Sequence, residues 1–581
     1  MAGLRLDLIR RHLRHHRRAV LLGIGALVLV NLLGVALPLL VSSVINDLRR
    51  DFSLQVLLRD ALVLVGLASA MAVVRLSSRM LVFGVGRQVE SDLKLQIFNH
   101  LLRQEPAWVQ GIGSGEVISR ATSDVENVRR LLGFAVLSLS NTALAYGLTL
   151  PAMLLINPWL SLVAVAVYPV MLLTVRLFGG RMMGQQRTVQ QALAALSDLV
   201  QEDLSGIGAI KIYGQEAHEQ ASFARLNRSY RDAALNLARS RSTLFPLLEG
   251  LSSISLLLLL GLGSGLLAKG ELSLGNMVAL ILYVERLVFP TTLLGFTLSA
   301  FQTGQVSLER IEDLQRRQPL IVSPAHPTPL PTQLRGAIEA RQLSVRYPGL
   351  NRPALQNLSF RIEPGELVAV VGPVGCGKTT LARALGRMVE VPSGQLFLDG
   401  LDITSLALEA LRWQVAIVPQ EGFLFTATLA DNVRYGDPTA SLERVSQATR
   451  QARLEDDIRG FPDGFDTLVG ERGITLSGGQ RQRTALARAL LLEAPVLVLD
   501  DALASVDNST AAAILAEVRR QQRRTVLMIS HQLSAAAACD RILVLDQGQL
   551  VQQGHHAELL NLDGTYRRLW EREQVERLQA V

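Results

Sequence analysis

The stretch LVAVVGPVGCGKTTLARALGRM, residues 367–388, decides the fold of the second half of the chain. An apolar run rich in valine comes first and a run of helical composition comes last, so we predict a strand, a loop and a helix. The loop carries the pattern G-x-x-x-x-G-K-[ST], whose backbone amides can wrap phosphate oxygens at the start of a helix. The residues predicted to bind the phosphates of a nucleotide are Gly372, Pro373, Val374, Gly375, Cys376, Gly377, Lys378, Thr379 and Thr380.

A second apolar run, VLVLD at residues 496–500, predicts a buried strand that ends in a carboxylate. In nucleotide hydrolases with this type of loop, such a carboxylate and the loop hydroxyl hold Mg²⁺ against the phosphates. We therefore expect Lys378 to reach the β- and γ-phosphates and Thr379 and Asp500 to bind the metal. The alternative role of an aspartate at a strand end is that of a cap or turn residue.

The two halves of the chain differ in composition. Residues 335–581 alternate short apolar runs with helical segments, which is typical of a buried, largely parallel sheet. A proline-rich linker is predicted at residues 316–334. Before it, several apolar runs are long enough to cross roughly 30 Å of hydrocarbon. We predict six membrane helices, at residues 19–45, 61–84, 131–156, 159–179, 242–268 and 275–303.

The predicted fold class is thus an α-helical transmembrane domain, residues 19–315, with six helices and long cytoplasmic extensions, followed by an α/β P-loop ATPase domain, residues 335–581. The long polar connections and the N-terminal stretch are rich in arginine, which places them, the ATPase domain and both termini in the cytoplasm. Residues 1–18 have the pattern of an amphipathic elbow helix on the inner leaflet. A signal peptide is the competing interpretation of this stretch.

Overall composition narrows the class of protein. The chain has 581 residues, of which 49% are apolar and only 19% charged, too few charges for an ordinary soluble protein. Its net charge of +7 would also suit a nucleic-acid-binding protein, but basic cytoplasmic loops between membrane helices account for it. We therefore predict no nucleic-acid partner. Two distant cysteines, Cys376 and Cys539, make a disulfide framework implausible.

Between the two nucleotide motifs lies the sequence LSGGQ, followed by a helix-forming stretch. With this motif the chain resembles the ATP-binding-cassette (ABC) ATPases, whose signature it is. The resemblance implies that these residues face the γ-phosphate of an ATP molecule held by the opposite subunit, as suits a helix N-terminus. The signature residues are Leu476, Ser477, Gly478, Gly479 and Gln480. A glycine-rich turn that only caps a helix is the alternative.

The resemblance assigns further positions one by one. Tyr347 resembles the aromatic residue that stacks on adenine, although it is also compatible with an ordinary strand tyrosine. Gln420 resembles the loop glutamine that contacts Mg²⁺ or water, and His531 resembles the switch histidine at the γ-phosphate, where a purely structural histidine is the alternative. The loop predicted to cross the dimer interface consists of Ser505, Val506 and Asp507.

Nearly the whole chain resembles an ABC exporter half-transporter, with six membrane helices followed by one cassette. The resemblance implies a second half-transporter as partner, contact with membrane lipid, and hydrophobic or amphipathic substrates such as drugs or lipids. Residues 113–120 and 209–216 resemble the segments around the two coupling helices. Ionisable residues inside the predicted spans are expected to face a cavity or to pair with one another. They are Arg75, Glu249, Glu285 and Arg286.

One position departs from the family pattern. The residue after Asp500 is usually the glutamate that polarises the attacking water, but here it is Asp501. One methylene fewer withdraws the carboxylate by roughly 1.5 Å, and a misplacement of about 1 Å can cost on the order of a hundredfold in rate. The chain thus resembles the weakened-site half of heterodimeric multidrug-type exporters. A competent homodimer and a regulatory subunit without useful turnover remain the alternatives.

Overall fold

A computed structural model describes residues 16–50, 53–347, 349–350, 352–520 and 524–579. Most of the predicted elbow helix, residues 1–18, therefore lies outside the described residues. The chain divides into two compact units, which are residues 1–102 with 112–317, and residues 103–111 with 318–581. The predicted fold class, a helical membrane domain followed by an α/β domain, is confirmed.

The first unit consists of long helices. Six of the helices in the described residues are long and apolar enough to span a membrane. They are α1 (Arg17–Arg50), α2 (Leu54–Leu102), α4 (Ser114–Ile156), α5 (Pro158–Ser205), α7 (Glu216–Ala268) and α8 (Leu274–Arg316), and the short helices α3 (Pro106–Ile112) and α6 (Ile207–Tyr213) lie between them. Helix α4 contains two π-helical segments, and α5 is interrupted by a turn before Tyr168. Each long helix extends past its predicted span, because Arg-rich amphipathic sequence continues the helix beyond the apolar part.

Polar side chains fix how these helices pack. The hydroxyl of Tyr283 on α8 donates to the Val35 carbonyl of α1 (2.6 Å), and that of Tyr168 on α5 donates to the Val284 carbonyl (2.6 Å). In the extensions beyond the predicted spans, Ser307 of α8 donates to buried Asp124 of α4 (2.8 Å). Hydrogen bonds of this kind satisfy polar groups that would be costly to leave unpaired in an apolar bundle.

The α/β unit is built on two sheets. The smaller sheet has the order β2-β1-β4-β5, and the larger has the order β10-β9-β3-β8-β7-β6. Within the larger sheet, β3, β6, β7, β8 and β9 run parallel, and only β10 is antiparallel. The strands are β1 (Ile338–Val345), β2 (Leu355–Ile362), β3 (Leu367–Val371), β4 (Leu396–Leu398), β5 (Leu401–Asp402), β6 (Val415–Val418), β7 (Val496–Asp500), β8 (Thr525–Ile529), β9 (Arg541–Asp546) and β10 (Gln549–Gly554).

Helices cover this sheet on both faces. Every residue of β3, β7 and β8 is buried, and alternate residues along each strand join two separate apolar cores. This explains why the strands read as continuous apolar runs. The helices are α9 (Lys378–Leu385), α10 (Leu408–Gln414), α11 (Leu429–Arg434), α12 (Leu442–Gln451), α13 (Glu455–Gly460), α14 (Gly478–Leu491), α15 (Asn508–Arg520), α16 (Leu533–Ala536), α17 (His556–Asn561) and α18 (Thr565–Gln579).

The proline-rich segment after α8 is irregular, and it is tied to the α/β unit. Residues 317–337 contain neither helix nor strand. The Glu105 carboxylate, just before α3, accepts hydrogen bonds from the backbone amides of Leu320 and Ile321. Further along, the Thr328 amide donates to the Ser405 carbonyl (2.9 Å). The segment is therefore held by specific hydrogen bonds rather than left as a free tether.

Candidate nucleotide site

The phosphate loop connects buried β3 to α9, and glycines let it approach neighbouring strands closely. Gly377 has φ +104, and a Cβ there would lie 2.6 Å from the Ala354 carbonyl oxygen. A Cβ on Gly372 would overlap the Leu545 carbonyl. Because an L side chain fits neither position, the sequence pattern G-x-x-x-x-G follows from the geometry of the loop.

Lys378, the first residue of α9, turns its ammonium group into this loop. Its Nζ donates to the carbonyl oxygens of Gly372 (2.7 Å) and Pro373 (3.0 Å). The Cys376 sulfur lies 3.8 Å away, and burial raises the pKa of this thiol. The loop thus brings a buried cation and a turn of backbone amides to one place, which is what binding of a polyphosphate requires.

Asp500 ends β7 beside the start of α9. Its Oδ1 accepts a hydrogen bond from the Thr379 hydroxyl at 3.2 Å, and its residue surface is only 5% exposed. Burial raises the pKa of Asp500, and the neighbouring Asp501 carboxylate raises it further. Two hard oxygen donors at hydrogen-bond distance, one of them on a buried carboxylate, fit a Mg²⁺ site completed by phosphate and water.

Asp501 follows in a left-handed backbone conformation, with φ +51. Its amide donates to the Ile529 carbonyl of β8 (2.9 Å), which anchors the turn between the two strands. The side chain is 9% exposed. Aspartate tolerates this conformation better than most residues do, because its short side chain can bond locally. The backbone of Asp501 is therefore fixed to the next strand, and its side chain is one methylene shorter than that of a glutamate.

The order of the parallel strands brings the other predicted residues to the same edge of the sheet. Strands β3, β8, β7 and β6 are neighbours, and each ends in a predicted segment. His531 follows β8 and Gln420 follows β6, both with exposed side chains. Tyr347 follows β1 and is half-buried, with its hydroxyl 3.3 Å from the Thr380 hydroxyl. Strand order thus brings Gln420 and His531 to the sheet edge from which the phosphate loop starts, and Tyr347, from the smaller sheet, contacts the loop at Thr380.

The signature motif forms the start of α14. The Ser477 hydroxyl accepts from the Gln480 amide (3.2 Å), and the Gln480 side chain accepts from the Ser477 amide (2.9 Å), which makes a capping box. Leu476 is buried, Gly478 and Gly479 are half-buried, and Ser477 is exposed. Among the described residues, no hydrogen bond joins 476–480 to the phosphate loop, 372–380. The capping box fixes the first turn of α14. Within the described ranges, the exposed N-terminus of this helix is not bonded to the phosphate loop of the same chain.

Two residues of the site escaped the sequence analysis. Asp457 accepts from the Gln480 side chain (2.9 Å) and forms an ion pair with Arg483 (2.8 Å). Gln482 accepts from the Ser505 amide (2.9 Å) and donates to the Gln420 carbonyl (3.3 Å), so it joins the signature helix to two other predicted segments. A polar residue on the buried side of an otherwise apolar helix face was the available signal.

The loop 505–507 leads into α15. Val506 is buried, while Asp507 accepts from the Thr510 amide (2.9 Å) and from the Ser509 hydroxyl. These hydrogen bonds, with that from Ser509 the strongest, lower the pKa of Asp507. The structure therefore gives Asp507 the role of a helix cap.

Two family models match the chain. One, described as the ABC transporter transmembrane region, matches residues 20–291, and the other, described as ABC transporter, matches residues 355–504. Among solved structures, the chain is similar to a bacterial Atm1-family ABC exporter with ATP bound. The TM-score is 0.79 and the identity 27%, over 96% of this chain and 99% of that one.

Curated relatives extend over most of the chain as well. The Escherichia coli multidrug resistance-like ATP-binding protein MdlA is 31% identical, over 97% of this chain and 96% of its own length. A probable multidrug resistance ABC transporter protein of Bacillus subtilis, YheI, is 32% identical over 85% and 84%. An ATP-dependent lipid A-core flippase of Aromatoleum aromaticum is 35% identical over 82% and 79%.

Proposed function

The chain belongs to the ABC transporter family, and on that premise we propose that it is one half of a dimeric exporter of hydrophobic or amphipathic compounds. It is a multi-pass membrane protein that binds ATP, and an ATP hydrolase coupled to transmembrane transport. The observation that carries the proposal is the fusion of six membrane-spanning helices to one cassette with a phosphate loop, Asp500 and a capped signature helix. Relatives named for multidrug resistance and for lipid A-core flipping support drugs or lipids as substrates.

In the proposed site, the amides of 372–380 and the Lys378 ammonium bind the ATP phosphates, and Tyr347 stacks on adenine. Thr379, Asp500 and Gln420 would hold Mg²⁺, which neutralises phosphate charge when bound. Asp501 would accept a proton from the attacking water, oriented by Gln420 and His531. Ser477 and its neighbours would face the ATP of the second chain, and the loop 505–507 would cross the dimer interface.

We further propose that the second chain is a different half-transporter. Asp501 supports this, because a shortened base at this chain's own site leaves fast hydrolysis to a site equipped with a glutamate. An intact, exposed signature supports it from the other side, since that is what such a partner site needs. A homodimer with two equal, slower sites is the competing assembly. We also propose that the protein lies in the inner or plasma membrane with its cassette in the cytoplasm, because the helix extensions on the cassette side are rich in arginine.

Transport tests the proposal directly. The full chain, co-expressed with the half-transporter that co-purifies from its native membrane, is placed in proteoliposomes with the cassettes facing outward. We expect ATP-dependent uptake of a fluorescent lipid or a hydrophobic dye, and its loss in Lys378→Ala. ATP hydrolysis without movement of any such compound would contradict export as the function.

A second candidate function rests on Asp501 alone. A regulatory subunit would bind ATP through Lys378 and Thr379 and leave turnover to its partner. In that case, disabling the partner's base would abolish all hydrolysis, whereas Asp501→Asn would leave the rate unchanged. Residual turnover that disappears with Asp501→Asn would instead assign hydrolysis to this chain.

A further inference from the structure

Arg286 lies inside a membrane span. It is about 18 Å from the start of α8 at 1.5 Å per residue, which places it near the middle of a roughly 30 Å hydrocarbon core. Arg286 is half-buried. A charge at this depth normally faces a cavity or a partner rather than lipid, so its surroundings indicate what it is for.

Helix α1 forms a cradle for the guanidinium group. A methyl group on Gly34 would overlap Nη1 and the central carbon, so only glycine leaves this space open. The Asn31 side-chain oxygen accepts from Nη2 at 3.1 Å, and its carbonyl oxygen lies 3.4 Å from the same atom. Asn31 is itself 1% exposed and is held by its own amide, which donates to the Leu27 carbonyl (2.9 Å) and to Asn141 of α4 (3.1 Å). The guanidinium group is thus held in one position by the space at Gly34 and by its hydrogen bonds to Asn31.

The cradle orients the charge of Arg286 but does not neutralise it. Across the part of the chain that the structure describes, no ion pair joins this guanidinium to a carboxylate. The adjacent Glu285 has an exposed side chain and makes no ion pair with Arg286 in the described part of the chain. The Nε of Arg286 is buried and has no hydrogen-bond partner. A guanidinium has five N–H donors, and among the described residues only Nη2 of Arg286 makes hydrogen bonds, which leaves the two donors of Nη1 for a group from outside this chain.

We propose that Arg286, held in place by Asn31 and Gly34, binds the anionic head group of an amphipathic substrate, a carboxylate or a phosphate. The planar fork of arginine matches both groups, and such pairs are strongest where water is excluded. Phe289 follows Arg286 by three residues on the same side of α8, and its exposed ring suits contact with a hydrocarbon tail. The inference rests on the proposed export function and narrows its substrates to anionic amphiphiles.

Photo-labelling with headgroup-matched probes tests the proposal. The full transporter with its co-purifying partner is placed in nanodiscs without ATP. It is labelled with three twelve-carbon probes that carry a diazirine in the tail and a phosphate, a carboxylate or a trimethylammonium head group. We expect one or both anionic probes to half-saturate at about a tenfold lower concentration than the cationic one. The better of the two anionic probes identifies the head group.

Three variants locate the effect. Arg286→Gln should remove the tenfold preference and leave labelling by the cationic probe within about twofold. Gly34→Ala should weaken anionic labelling about fivefold while the charge is kept, because it fills the cradle. Arg176→Gln removes an exposed arginine from another membrane helix and should change nothing. If Arg286→Gln fails to assemble, Gly34→Ala decides the question.

Several results would overturn the inference. They are the absence of a headgroup preference in the unmodified protein, equal losses for all three probes in Arg286→Gln, and a partner carboxylate that cross-links to position 286. Because labelling needs no ATP, these outcomes are separate from a failure of export. Transport that persists without headgroup preference sinks only this inference, whereas preference without any transport sinks only the proposed function.

Discussion

The two halves of the nucleotide machinery in this chain are built differently. In the phosphate-loop half, Lys378, Asp500 and Asp501 are buried, and Lys378 and Asp500 hydrogen-bond within that half. In the signature half, Ser477 is exposed, and among the described residues its side chain and amide bond only to the start of its own helix. The first half is a preformed binding site, and the second presents a capped helix end outward. In the proposed dimer, one chain therefore contributes a preformed phosphate-binding loop to one ATP site and the exposed N-terminus of α14 to the other.

The largest expected effect is on the phosphate-loop half, where removal of the Lys378 ammonium should weaken ATP binding. Lys378→Ala deletes a buried charge that contacts phosphate in the proposed site, and a hydrogen bond to a charged group is worth about 1.5–3 kcal/mol. We expect a loss of ATP affinity of about a hundredfold at this chain's site. Photo-labelling with an ATP analogue measures it, with the exposed Lys269→Ala as control. Unchanged labelling would contradict the role of the loop.

The next largest effect separates the two halves directly. Ser477→Ala should lower steady-state hydrolysis by about tenfold or more, and Asp501→Asn by less than about twofold, because in the proposed heterodimer the fast site uses this chain's signature and the partner's base. Both variants are compared in the assembled transporter with a coupled ATPase assay.

A cap control is needed for that comparison, because Ser477→Ala also removes a helix cap worth about 1 kcal/mol. Ser441 caps α12 in the same way, by accepting from the Arg444 amide. Ser441→Ala should lower stability similarly but leave hydrolysis unchanged. If Asp501→Asn stops hydrolysis by the isolated chain, the unequal-site assembly is wrong.

A smaller effect concerns stability. Burial raises the pKa of Asp500, so the folded state favours the protonated carboxyl. The protonated group therefore stabilises the fold at low pH, and this stabilisation is lost as pH rises through the folded pKa. At neutral pH the ionised Asp500 carboxylate therefore lowers the stability of the fold when Mg²⁺ and nucleotide are absent. Asp500→Asn should therefore raise the melting temperature by about 2 °C at pH 7 in chelator, and the gain should shrink below about pH 4.

The matching control is Asp507→Asn, because hydrogen bonds lower the pKa of Asp507. Its ionised form stabilises the fold above the unfolded pKa, so the substitution should lower the melting temperature at pH 7. Thermal unfolding followed by intrinsic fluorescence measures both. Shifts of the same sign would contradict the electrostatic assignment.

The smallest effect is expected from restoring the usual base. Asp501→Glu lengthens the side chain, but a backbone φ of +51 is less favourable for glutamate than for aspartate. Turnover at this chain's site should rise by at most about twofold, measured as single-turnover hydrolysis with the partner's site disabled. A rise of an order of magnitude would mean that side-chain length alone weakens the site.

The sequence predicts what is determined locally. The fold class, the membrane helices and the family are confirmed, because apolar length and glycine-rich loops act over a few neighbouring residues. Thr379 and Asp500 were predicted to bind one metal, and the structure places their oxygens 3.2 Å apart. Parallel strands end at one edge of the sheet, so strand order carries Gln420 and His531 to the same place.

What escaped prediction depends on partners distant in sequence. The Arg286–Asn31 hydrogen bond joins residues 255 positions apart, and Gln482 reaches Ser505 and Gln420 by packing alone. The left-handed turn at Asp501 is set by its bond to Ile529 on the next strand. The full lengths of the long helices were missed because their polar ends have no membrane signal.

The hydrogen bonds of Glu105 have a mechanical consequence. Residues 103–111 belong to the same compact unit as the cassette, so the chain crosses between the two units after Leu102, after Gly111 and after Arg317. Glu105 fastens the first crossing to the segment that follows the third, through the amides of Leu320 and Ile321. The first and third crossings are therefore fastened to each other on the cassette side, so neither segment of chain can shift there without the other.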